Sequence, residues 1–318
     1  MAVVHLLSNP GISVRTRVRR VDAVRAAFHA HGQDVVELQP AARELIAPTI
    51  TEARHRGVTR LAIVGGDGLL HNALPAIARS DIPVGVITAG TGNDFARALN
   101  LPTDVDAAVA AALSEPGPVD LIAVNAETEE DSSADSSVER LAATVVTGGF
   151  SGRVTARANR LRFPRGQQRY TIATLLELVK LEPVAIELTV DGCHHELQTT
   201  LFAIANTRYF GGGMNICPDA SHTDGLLDVT VIGPASAFEL ARVLPTVFSG
   251  RHIAHPAVTT YRGERIELTT DADLWADGEP LADHGSLGDA EPRSTAFTVA
   301  SGALHVAGSL NATHQGQP

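Results

Sequence analysis

The first 120 residues alternate short apolar runs with segments of helical spacing, and this alternation constrains the fold more than any other feature of the sequence. The predicted strands are Val3–Leu7, Val35–Leu38, Leu61–Val64 and Val84–Ile87, and the predicted helices are Val14–His31 and a segment ending near Arg56. Strands and helices that alternate in this way indicate βαβ units around a largely parallel sheet. Sheets of this kind bind ligands beyond the carboxyl ends of their strands.

The pattern changes near Pro116–Pro118, after which strand-like runs dominate. The predicted strands are Val119–Asn125, Leu141–Thr147, Val184–Val190, Leu201–Asn206, Leu226–Ile232, Arg265–Thr270 and Ala296–Val299, and helical patterns cover Ser151–Arg162, Tyr170–Lys180 and Ala235–Ser249. We therefore expect an α/β domain over residues 1–118 and a second, mainly antiparallel β-rich domain over residues 119–300. The acidic, serine-rich segment 127–139 has too little apolar surface to pack, so we predict a flexible loop there.

Charge and cysteine content exclude several classes of protein. Acidic residues outnumber basic residues 36 to 25, and the resulting charge of -11 does not attract nucleic acid. The two cysteines, Cys193 and Cys217, form no CxxC pair, which argues against a disulfide framework and a cysteine-based zinc site. The sequence begins without the features of a signal peptide and offers no apolar run long enough to span a membrane. We therefore expect a cytoplasmic protein.

A glycine-rich segment, Gly65-Gly66-Asp67-Gly68, stands where the third predicted strand meets a helical pattern. Glycines let the backbone approach a ligand closely, and a helix N-terminus offers N–H groups to a phosphate. A carboxylate beside phosphates is repulsive unless a cation lies between them, so Asp67 points to Mg²⁺. The alternative is a tight turn in which the aspartate serves as a cap.

A second segment of the same character, Thr88–Arg97, follows the fourth predicted strand and reads Thr-Ala-Gly-Thr-Gly-Asn-Asp-Phe-Ala-Arg. Two adjacent loops of this kind at one sheet edge are hard to explain by structure alone. Other phosphate-binding schemes fit poorly. The chain has no Gly-x-x-x-x-Gly-Lys motif, Lys180 is its one lysine, and no Gly-x-Gly-x-x-Gly follows the first strand.

Taken in order, these segments resemble the bacterial diacylglycerol kinases, relatives of sphingosine and ceramide kinases. The matching segments are Ser8–Pro10, Gly65–Gly68, Gly90–Arg97, Gly211–Ala220, Thr223–Val229 and Asp277–Leu281. The resemblance spans nearly the whole chain. It implies a nucleotide-binding α/β domain of the NAD-kinase and diacylglycerol-kinase type, an active site between two domains, and a final strand at about 301–310 that returns to the first domain. It also implies transfer of a phosphoryl group from ATP to a lipid hydroxyl.

The same resemblance implies roles for individual residues. Asn9, Gly65, Gly66, Asp67, Gly68 and Thr91 would contact ATP, with Asp67 near the phosphates and the catalytic Mg²⁺, and Asn93 and Asp94 would line the same cleft. Glu279 matches the proton acceptor, and Asp277 would help to arrange it. Ser221, Asp224 and Leu226 match a second, structural Mg²⁺ site, although an acidic β-turn at Asp224-Gly225 is the alternative.

The sequence departs from the family pattern just after the first glycine loop. The usual threonine and Asn-Glu pair are replaced by Leu69, His71 and Asn72. Two alternatives therefore stay open: a catalytically silent homologue that binds lipid or nucleotide, and an NAD kinase with the same glycine loop. Sphingoid bases and ceramide-like lipids also remain open as acceptors.

Arginines without intervening acids occupy the segment between Ser151 and Tyr170, and Arg153, Arg157 and Arg160 fall on one helical face. We predict that this face docks on anionic lipid and holds the protein at the inner face of the membrane. A solvated basic face paired with the acidic 127–139 segment is the alternative. Oligomeric state cannot be read from the sequence, and a homodimer is left open.

Overall fold

The computed structural model describes residues 3–8, 14–126, 140–149, 154, 157, 160, 173, 183–281 and 292–309. The chain divides into two compact units, Met1–Asp120 with Ser301–Pro318, and Leu121–Ala300. The predicted loop over 127–139 lies outside the described residues. Within the described part of the chain, no helix combines the length and apolar character that crossing a bilayer requires.

The first unit is a parallel sheet with helices packed against it. Its strands are β1 (Val3–Ser8), β2 (Asp34–Leu38), β3 (Leu61–Gly65) and β4 (Val84–Thr88). Its helices are α1 (Val14–Ala30), α2 (Ile46–His55), α3 (Asp67–Ile77), α4 (Asp94–Ala98) and α5 (Val105–Leu113), with a short 3-10 turn at Arg43–Leu45. The strand order is β2-β1-β3-β4, and all three pairings are parallel. The end of the last strand of the chain adds to β4, also in parallel, at Val306 and Val84.

The carboxyl ends of β3 and β4 lie side by side because these strands pair in register from Leu61 and Val84 to Gly65 and Thr88. The strands are buried along nearly their whole length, and α1 and α5 pack on the sheet through a core that includes Phe28 and Val109. Both glycine-rich loops therefore leave the sheet at the same edge, as expected for a parallel sheet.

The second unit is built from antiparallel strands. They are β5 (Pro116–Ala126), β6 (Arg140–Ala142), β7 (Val145–Gly149), β8 (Val184–Val190), β9 (Cys193–Thr199), β10 (Leu201–Ala205), β11 (Tyr209–Phe210), β12 (Met214–Asn215), β13 (Leu227–Ile232), β14 (Val258–Gly263), β15 (Arg265–Thr270), β16 (Trp275–Ala276), β17 (Glu279–Pro280) and β18 (Arg293–Ala307). The helix α6 (Ala237–Val247) is followed by a 3-10 turn at Arg251–Ala254, and residues 154, 157, 160 and 173 are also helical. β5 begins in the first unit, and β18 ends there.

Two sheets form the core of this unit. One contains β9, β8, β15 and the first part of β18, and the other has the order β14-β13-β10-β7-β16-β17. Side chains alternate along β10: Phe202 and Ile204 point into the core between the sheets, whereas Leu201 and Ala203 belong to a separate cluster with α6. The alternation follows from the two-residue period of a strand, and it shows that helices cover the outer face of the six-stranded sheet.

The predicted fold class, an α/β domain followed by an antiparallel β-rich domain, is confirmed. Two predicted elements were wrong in detail. Leu141–Thr147 is not one strand but two, β6 and β7, and the runs at Ala296–Val299 and Ala303–Ala307 form one continuous strand. The strands β9 and β14 were missed because their apolar residues are sparse.

Candidate functional site

The first glycine-rich loop leads straight from β3 into α3, whose N-cap residue is Gly66. Leu69 packs over the end of the strand so closely that a Cβ on Gly65 would lie 2.5 Å from the Leu69 Cδ2. A glycine at the N-cap has no side chain with which to occupy the first N–H groups of the helix. An uncapped helix N-terminus of this kind favours an anionic ligand.

The two glycine loops are in direct backbone contact. A Cβ on Gly90 would lie 2.6 Å from the Gly66 Cα and 2.9 Å from the Asn93 Oδ1. The Ala89 N–H donates to the Gly65 carbonyl oxygen at 2.9 Å, which continues the pairing of β3 and β4 into the loops. Any side chain at Gly90 would separate the two loops, so the glycine there is required by packing.

Asp67 joins the two loops through its carboxylate. Its Oδ2 accepts a hydrogen bond from the Asp94 N–H at 3.1 Å, and its Oδ1 accepts one from the Phe95 N–H at 3.0 Å. Asn93, the N-cap residue of α4, has a φ of 53° and bonds back to Gly90 through both ends of its amide, at 3.1 and 3.0 Å. The carboxylate that caps α4 is therefore supplied by Asp67 from the neighbouring loop.

The remaining residues predicted to contact nucleotide have different environments. Thr91 is exposed at the tip of the second loop. Asp94 is 5% exposed and its Oδ1 accepts from the Arg97 Nη1 at 2.8 Å, so its charge is balanced within α4. Asn9 lies outside the described residues. A pocket between the loops is lined by Gly66, Asp67 and Asn93, with Phe95 among its apolar walls.

The departures from the family pattern have a structural role here. Leu69 is buried against Gly65, as described above, and His71 is half-buried. The Asn72 amide donates through Nδ2 to the Gly68 carbonyl oxygen and accepts through Oδ1 from the Arg43 Nε at 3.1 Å. Leu69 and Asn72 hold the first turn of α3 in place by packing and by side-chain hydrogen bonds.

The first unit is suited to a metal ion that binds together with the phosphates of a nucleotide. Among the described residues, no three His, Cys, Asp or Glu side chains cluster as a metal site. Mg²⁺ is usually bound by one or two carboxylates together with substrate phosphates, and it prefers hard oxygen ligands. The Asp67 carboxylate, oriented by two backbone donors, is a group of this kind, and the residues present therefore fit Mg²⁺ bound to a nucleotide.

In the second unit, Asp277 and Gly278 form the two-residue turn that joins β16 to β17. Both have positive φ values, 51° and 82°, which is the backbone conformation of a type I′ hairpin turn. The turn places Glu279 as the first residue of β17, half-buried and paired with Ala276. The sequence Asp-Gly thus fixes the position of the Glu279 backbone.

The Asp277 side chain anchors this turn to the loop between β6 and β7. Its Oδ2 accepts from the Ala143 N–H at 2.9 Å, and its Oδ1 accepts from the Thr144 N–H at 2.8 Å and from the Thr144 hydroxyl at 2.6 Å. The Asp277 N–H donates to the Val145 carbonyl oxygen at 3.1 Å. These contacts explain why Leu141–Thr147 is interrupted, since Ala143 and Thr144 donate to a side chain instead of a strand.

Thr144 was missed by the sequence reasoning. It is 3% exposed and its backbone carbonyl also accepts from the Asn206 and Thr207 N–H groups. It lies 133 positions before Asp277, and nothing local in an apolar run marks this threonine as the partner of a distant carboxylate.

The residues predicted to hold a structural Mg²⁺ lie on the turn before β13. The Asp224 Oδ1 accepts from the Leu226 N–H at 3.1 Å, and the Ser221 Oγ lies 3.5 Å from the Thr223 Oγ1. The Asp224 Oδ2 lies 3.2 Å from the Nη2 of Arg262. An arginine therefore already pairs with the one carboxylate of the predicted ligand set, and the residues fit a metal ion poorly. The Mg²⁺ at this turn stays a prediction.

Arg262 also binds Asp228 and a backbone carbonyl. Its Nε lies 3.2 Å from both carboxylate oxygens of Asp228, and its Nη2 donates to the Asp219 carbonyl oxygen at 2.8 Å. Burial raises the pKa of the Asp228 carboxyl, although the hydrogen bonds and the charge of Arg262 act in the opposite direction. The guanidinium on β14 thus compensates two carboxylates, Asp228 on the neighbouring strand β13 and Asp224 on the turn before it.

Comparison with known proteins assigns both halves of the chain. Residues 4–124 match the model of the diacylglycerol kinase catalytic domain, and residues 144–301 match that of the YegS C-terminal NAD kinase beta sandwich-like domain. A diacylglycerol kinase of Mycobacterium tuberculosis is 37% identical over 279 residues, 86% of this chain and 87% of that protein. A probable YegS-like lipid kinase of Pseudomonas aeruginosa is 29% identical over 262 residues, 81% of this chain and 79% of that protein.

A solved structure supports the fold. A putative diacylglycerol kinase from Bacillus anthracis superposes with a TM-score of 0.69 over 96% of both chains, at 16% sequence identity. The agreement at so low an identity concerns the fold alone. The two matched domains and the 37% identical relative show that this chain belongs to the bacterial diacylglycerol kinase family of lipid kinases.

Proposed function

We propose that this protein transfers the γ-phosphoryl group of ATP to the free hydroxyl of diacylglycerol or a closely related membrane lipid. The observation that carries the proposal is the junction made by Asp67, whose carboxylate connects the two glycine loops at the carboxyl ends of β3 and β4. A single anion that orients two glycine loops is suited to a Mg²⁺-nucleotide, because phosphoryl transfer depends on positioning and on neutralising the phosphate charge.

The nucleotide would be held by the first unit. Gly65, Gly66 and Gly68 allow the backbone to approach the phosphates, and Thr91 offers an exposed hydroxyl at the second loop. Asn93 and Asp94 shape that loop through their hydrogen bonds. Asn9, which comes directly after β1 in the sequence, would also contact the nucleotide. Mg²⁺, when bound with ATP, would neutralise the phosphate oxygens beside Asp67.

Glu279 would act as the proton acceptor. As the lipid hydroxyl oxygen bonds to the γ-phosphorus, the bond from phosphorus to the β-γ bridging oxygen breaks, ADP leaves, and the hydroxyl proton passes to the Glu279 carboxylate. The turn formed by Asp277 and Gly278 would fix the direction in which Glu279 points. A carboxylate acceptor must lie within hydrogen-bond reach of the hydroxyl, so a rigid turn has a direct catalytic purpose.

The membrane partner and assembly follow as parts of the same proposal. A lipid acceptor requires contact with the bilayer, and we propose peripheral docking at the inner face of the membrane, with Arg157 and Arg160 contributing. Both adopt helical conformation, and Arg160 is exposed, whereas Arg153 lies outside the described residues. The homodimer stays open.

The test is incubation with labelled ATP, Mg²⁺ and a total lipid extract, followed by identification of the labelled product. Wild type should label a lipid, and Glu279→Gln should reduce kcat by at least about a hundredfold. Glu264→Gln, an exposed acid in the same unit, is the matched control and should retain activity. Labelling of NAD without lipid would assign the protein as an NAD kinase. Absence of any labelled product, with ATP still bound, would identify a silent homologue whose replacements at Leu69 and Asn72 removed activity.

A further inference from the structure

Large apolar side chains are exposed in one short part of the second unit. In the described part of the chain, five large hydrophobic residues are exposed, and three of them lie close together in sequence: Phe238 in α6, Phe248 at its C-cap and Ile253 in the 3-10 turn that follows. Phe238 is 64% exposed, Phe248 54% and Ile253 37%. Clusters of this kind mark interaction surfaces, whereas scattered exposed apolar residues need no explanation.

The spacing of α6 places its apolar residues on two opposite faces. Leu240, Val243 and Val247 are buried, and Leu240 and Val247 pack on the outer face of the six-stranded sheet. Phe238 and Phe248 are ten positions apart, about 15 Å along a helix, and differ in direction by only about 80°. Phe238 therefore projects from the side of α6 that faces away from the sheet, and Phe248, the C-cap residue, projects from the flank of the helix.

The charges around these aromatic residues are positive. Between Val229 and Gly263 the sequence contains one acidic residue, Glu239, although the whole chain carries a charge of -11. The Glu239 carboxylate is used in the capping box of α6, where it accepts from the Ser236 N–H at 2.9 Å and from the Ser236 hydroxyl at 2.8 Å. Its pKa is lowered by these hydrogen bonds to Ser236. The acid is therefore held at the start of the helix, away from Phe248.

Two arginines accompany the exposed aromatic residues. The Arg242 guanidinium carbon lies 4.2 Å from the centre of the Phe238 ring, and Arg251 is exposed in the 3-10 turn beside Ile253. We define the membrane-facing patch as Phe238, Arg242, Phe248, Arg251 and Ile253. Aromatic residues beside arginines are typical of surfaces that insert into the interface of a bilayer, where the ring enters the acyl boundary and the cation meets the headgroup.

The patch belongs to the same helical layer as the arginines identified in the sequence. Val154, which is helical like Arg157 and Arg160, is buried in one cluster with Leu240 and Val247 of α6. Val154 and α6 therefore cover the outer face of the same sheet. The layer combines aromatic and basic side chains, and this combination suits an anionic lipid surface.

We propose that the membrane-facing patch inserts into the headgroup region of an anionic bilayer and so presents the lipid substrate to the enzyme. This inference rests on the proposed lipid kinase function. The occupant is a bilayer and not a second copy of the chain, because the patch contains two arginines and no acid, and its two aromatic residues lie about 15 Å apart at opposite ends of α6. Arginines facing each other across a symmetric interface would repel.

The proposal is tested with four forms of the full-length chain on vesicles of phosphatidylcholine with and without phosphatidylglycerol. Phe238→Ser with Phe248→Ser removes the aromatic anchors, and Arg242→Gln with Arg251→Gln removes the cations. Val36→Thr with Leu45→Gln is the matched control, because these two residues are the other exposed hydrophobics of the described chain, each 46% exposed. Melting temperature and oligomeric state are measured for every form.

The aromatic pair should lower the partition coefficient on anionic vesicles by about tenfold or more, and the arginine pair should remove the preference for phosphatidylglycerol. Phosphorylation of a short-chain, water-soluble diacylglycerol should be unchanged in both variants. Undiminished vesicle binding by either variant would overturn the proposal, as would an equal loss in the control. Conversion of a dimer to a monomer without loss of vesicle binding would assign the patch to self-association.

Failure of the proposed function gives a different result. If wild type labels no lipid but still binds anionic vesicles through the patch, the kinase proposal fails and the docking surface stands. If wild type labels the soluble lipid and binds vesicles independently of the patch, the kinase proposal stands and the docking surface fails.

Discussion

The hydroxyl of Thr144 should control catalysis without contacting substrate, because it fixes the turn that presents Glu279. It donates to the Asp277 carboxylate at 2.6 Å and is one of three donors to that group from the β6–β7 loop. A hydrogen bond to a charged group contributes about 1.5–3 kcal/mol. If the loss appears as misplacement of Glu279, Thr144→Val should lower kcat by about 10- to 100-fold. The KM for ATP should stay unchanged, since the glycine loops belong to the other unit.

The control for this prediction is a second buried threonine. The Thr199 hydroxyl donates to the carbonyl oxygens of Leu201 and Ile232, both at 2.8 Å, and the residue is 0% exposed. Thr199→Val and Thr144→Val should both lower the melting temperature, by about 2–4 °C per kcal/mol in a unit of this size. Only Thr144→Val should lower kcat, and Thr144→Ser, which keeps the hydroxyl, should restore it. Wild-type kcat in Thr144→Val, or an equal loss in Thr199→Val, would refute the reasoning.

Three further perturbations test other contacts. Gly90→Ala should abolish stabilisation by Mg²⁺-ATP in a thermal-shift assay, because the new Cβ would lie 2.6 Å from the Gly66 Cα. Gly233→Ala is the control, since its Cβ would lie 3.4 Å from the nearest atom, the Ala257 carbonyl oxygen. Equal stabilisation of both variants by Mg²⁺-ATP would contradict this prediction. Burial lowers the pKa of His252 from 6.5, so as pH falls the unfolded chain binds a proton before the folded protein does, and folding stability is lost. His252→Gln should therefore flatten the pH dependence of the urea midpoint between about pH 7.5 and about pH 5.5. An unaltered pH dependence would exclude His252 as its cause. Arg262→Gln should lower the melting temperature and make it respond to Mg²⁺, which would then occupy the place of the guanidinium at Asp224; no response would argue against a metal ion there.

The sequence predicted the parts of the fold that follow from local periodicity. The strands at β1, β3, β4 and β8 agree with the predicted runs to within a residue, because β1, β3 and β4 are mostly buried apolar runs and β8 alternates between buried and exposed residues. The break in Leu141–Thr147 could not be predicted, since its cause is a carboxylate 133 positions later. Contacts between distant parts of the chain leave no local pattern.

The candidate site was predicted only in part, because contacts between residues that are distant in sequence leave no local pattern. Glycines at strand ends identified both loops, but the close approach of Gly66 to Gly90 is visible only in three dimensions. Arg262 was not considered because its strand, β14, is weakly apolar and was not recognised from the sequence. Its pairing with Asp224 and Asp228 changes what the acidic turn can bind.

Asp67 has a structural role that must be separated from its proposed catalytic role. Asp104 provides the comparison, because its Oδ1 accepts from the Asp106 and Ala107 N–H groups at 3.0 and 3.1 Å and caps α5 without any glycine loop. Asp67→Asn should lower stability by about 0.5–1.5 kcal/mol because one of its two backbone hydrogen bonds is lost, whereas Asp104→Asn should change stability little because asparagine caps a helix about as well as aspartate. The amide of an asparagine has one acceptor oxygen, whereas the Asp67 carboxylate uses two.

The two variants should also differ in how nucleotide affects their stability. Mg²⁺-ATP should raise the melting temperature of wild type and of Asp104→Asn alike, and it should fail to do so for Asp67→Asn, in which no negative charge faces the metal ion. Equal stabilisation of the two variants would mean that Asp67 is a helix cap and nothing more. The phosphate-binding role would then have to rest on the backbone of the two glycine loops alone, and the requirement for a metal ion at this residue would be lost.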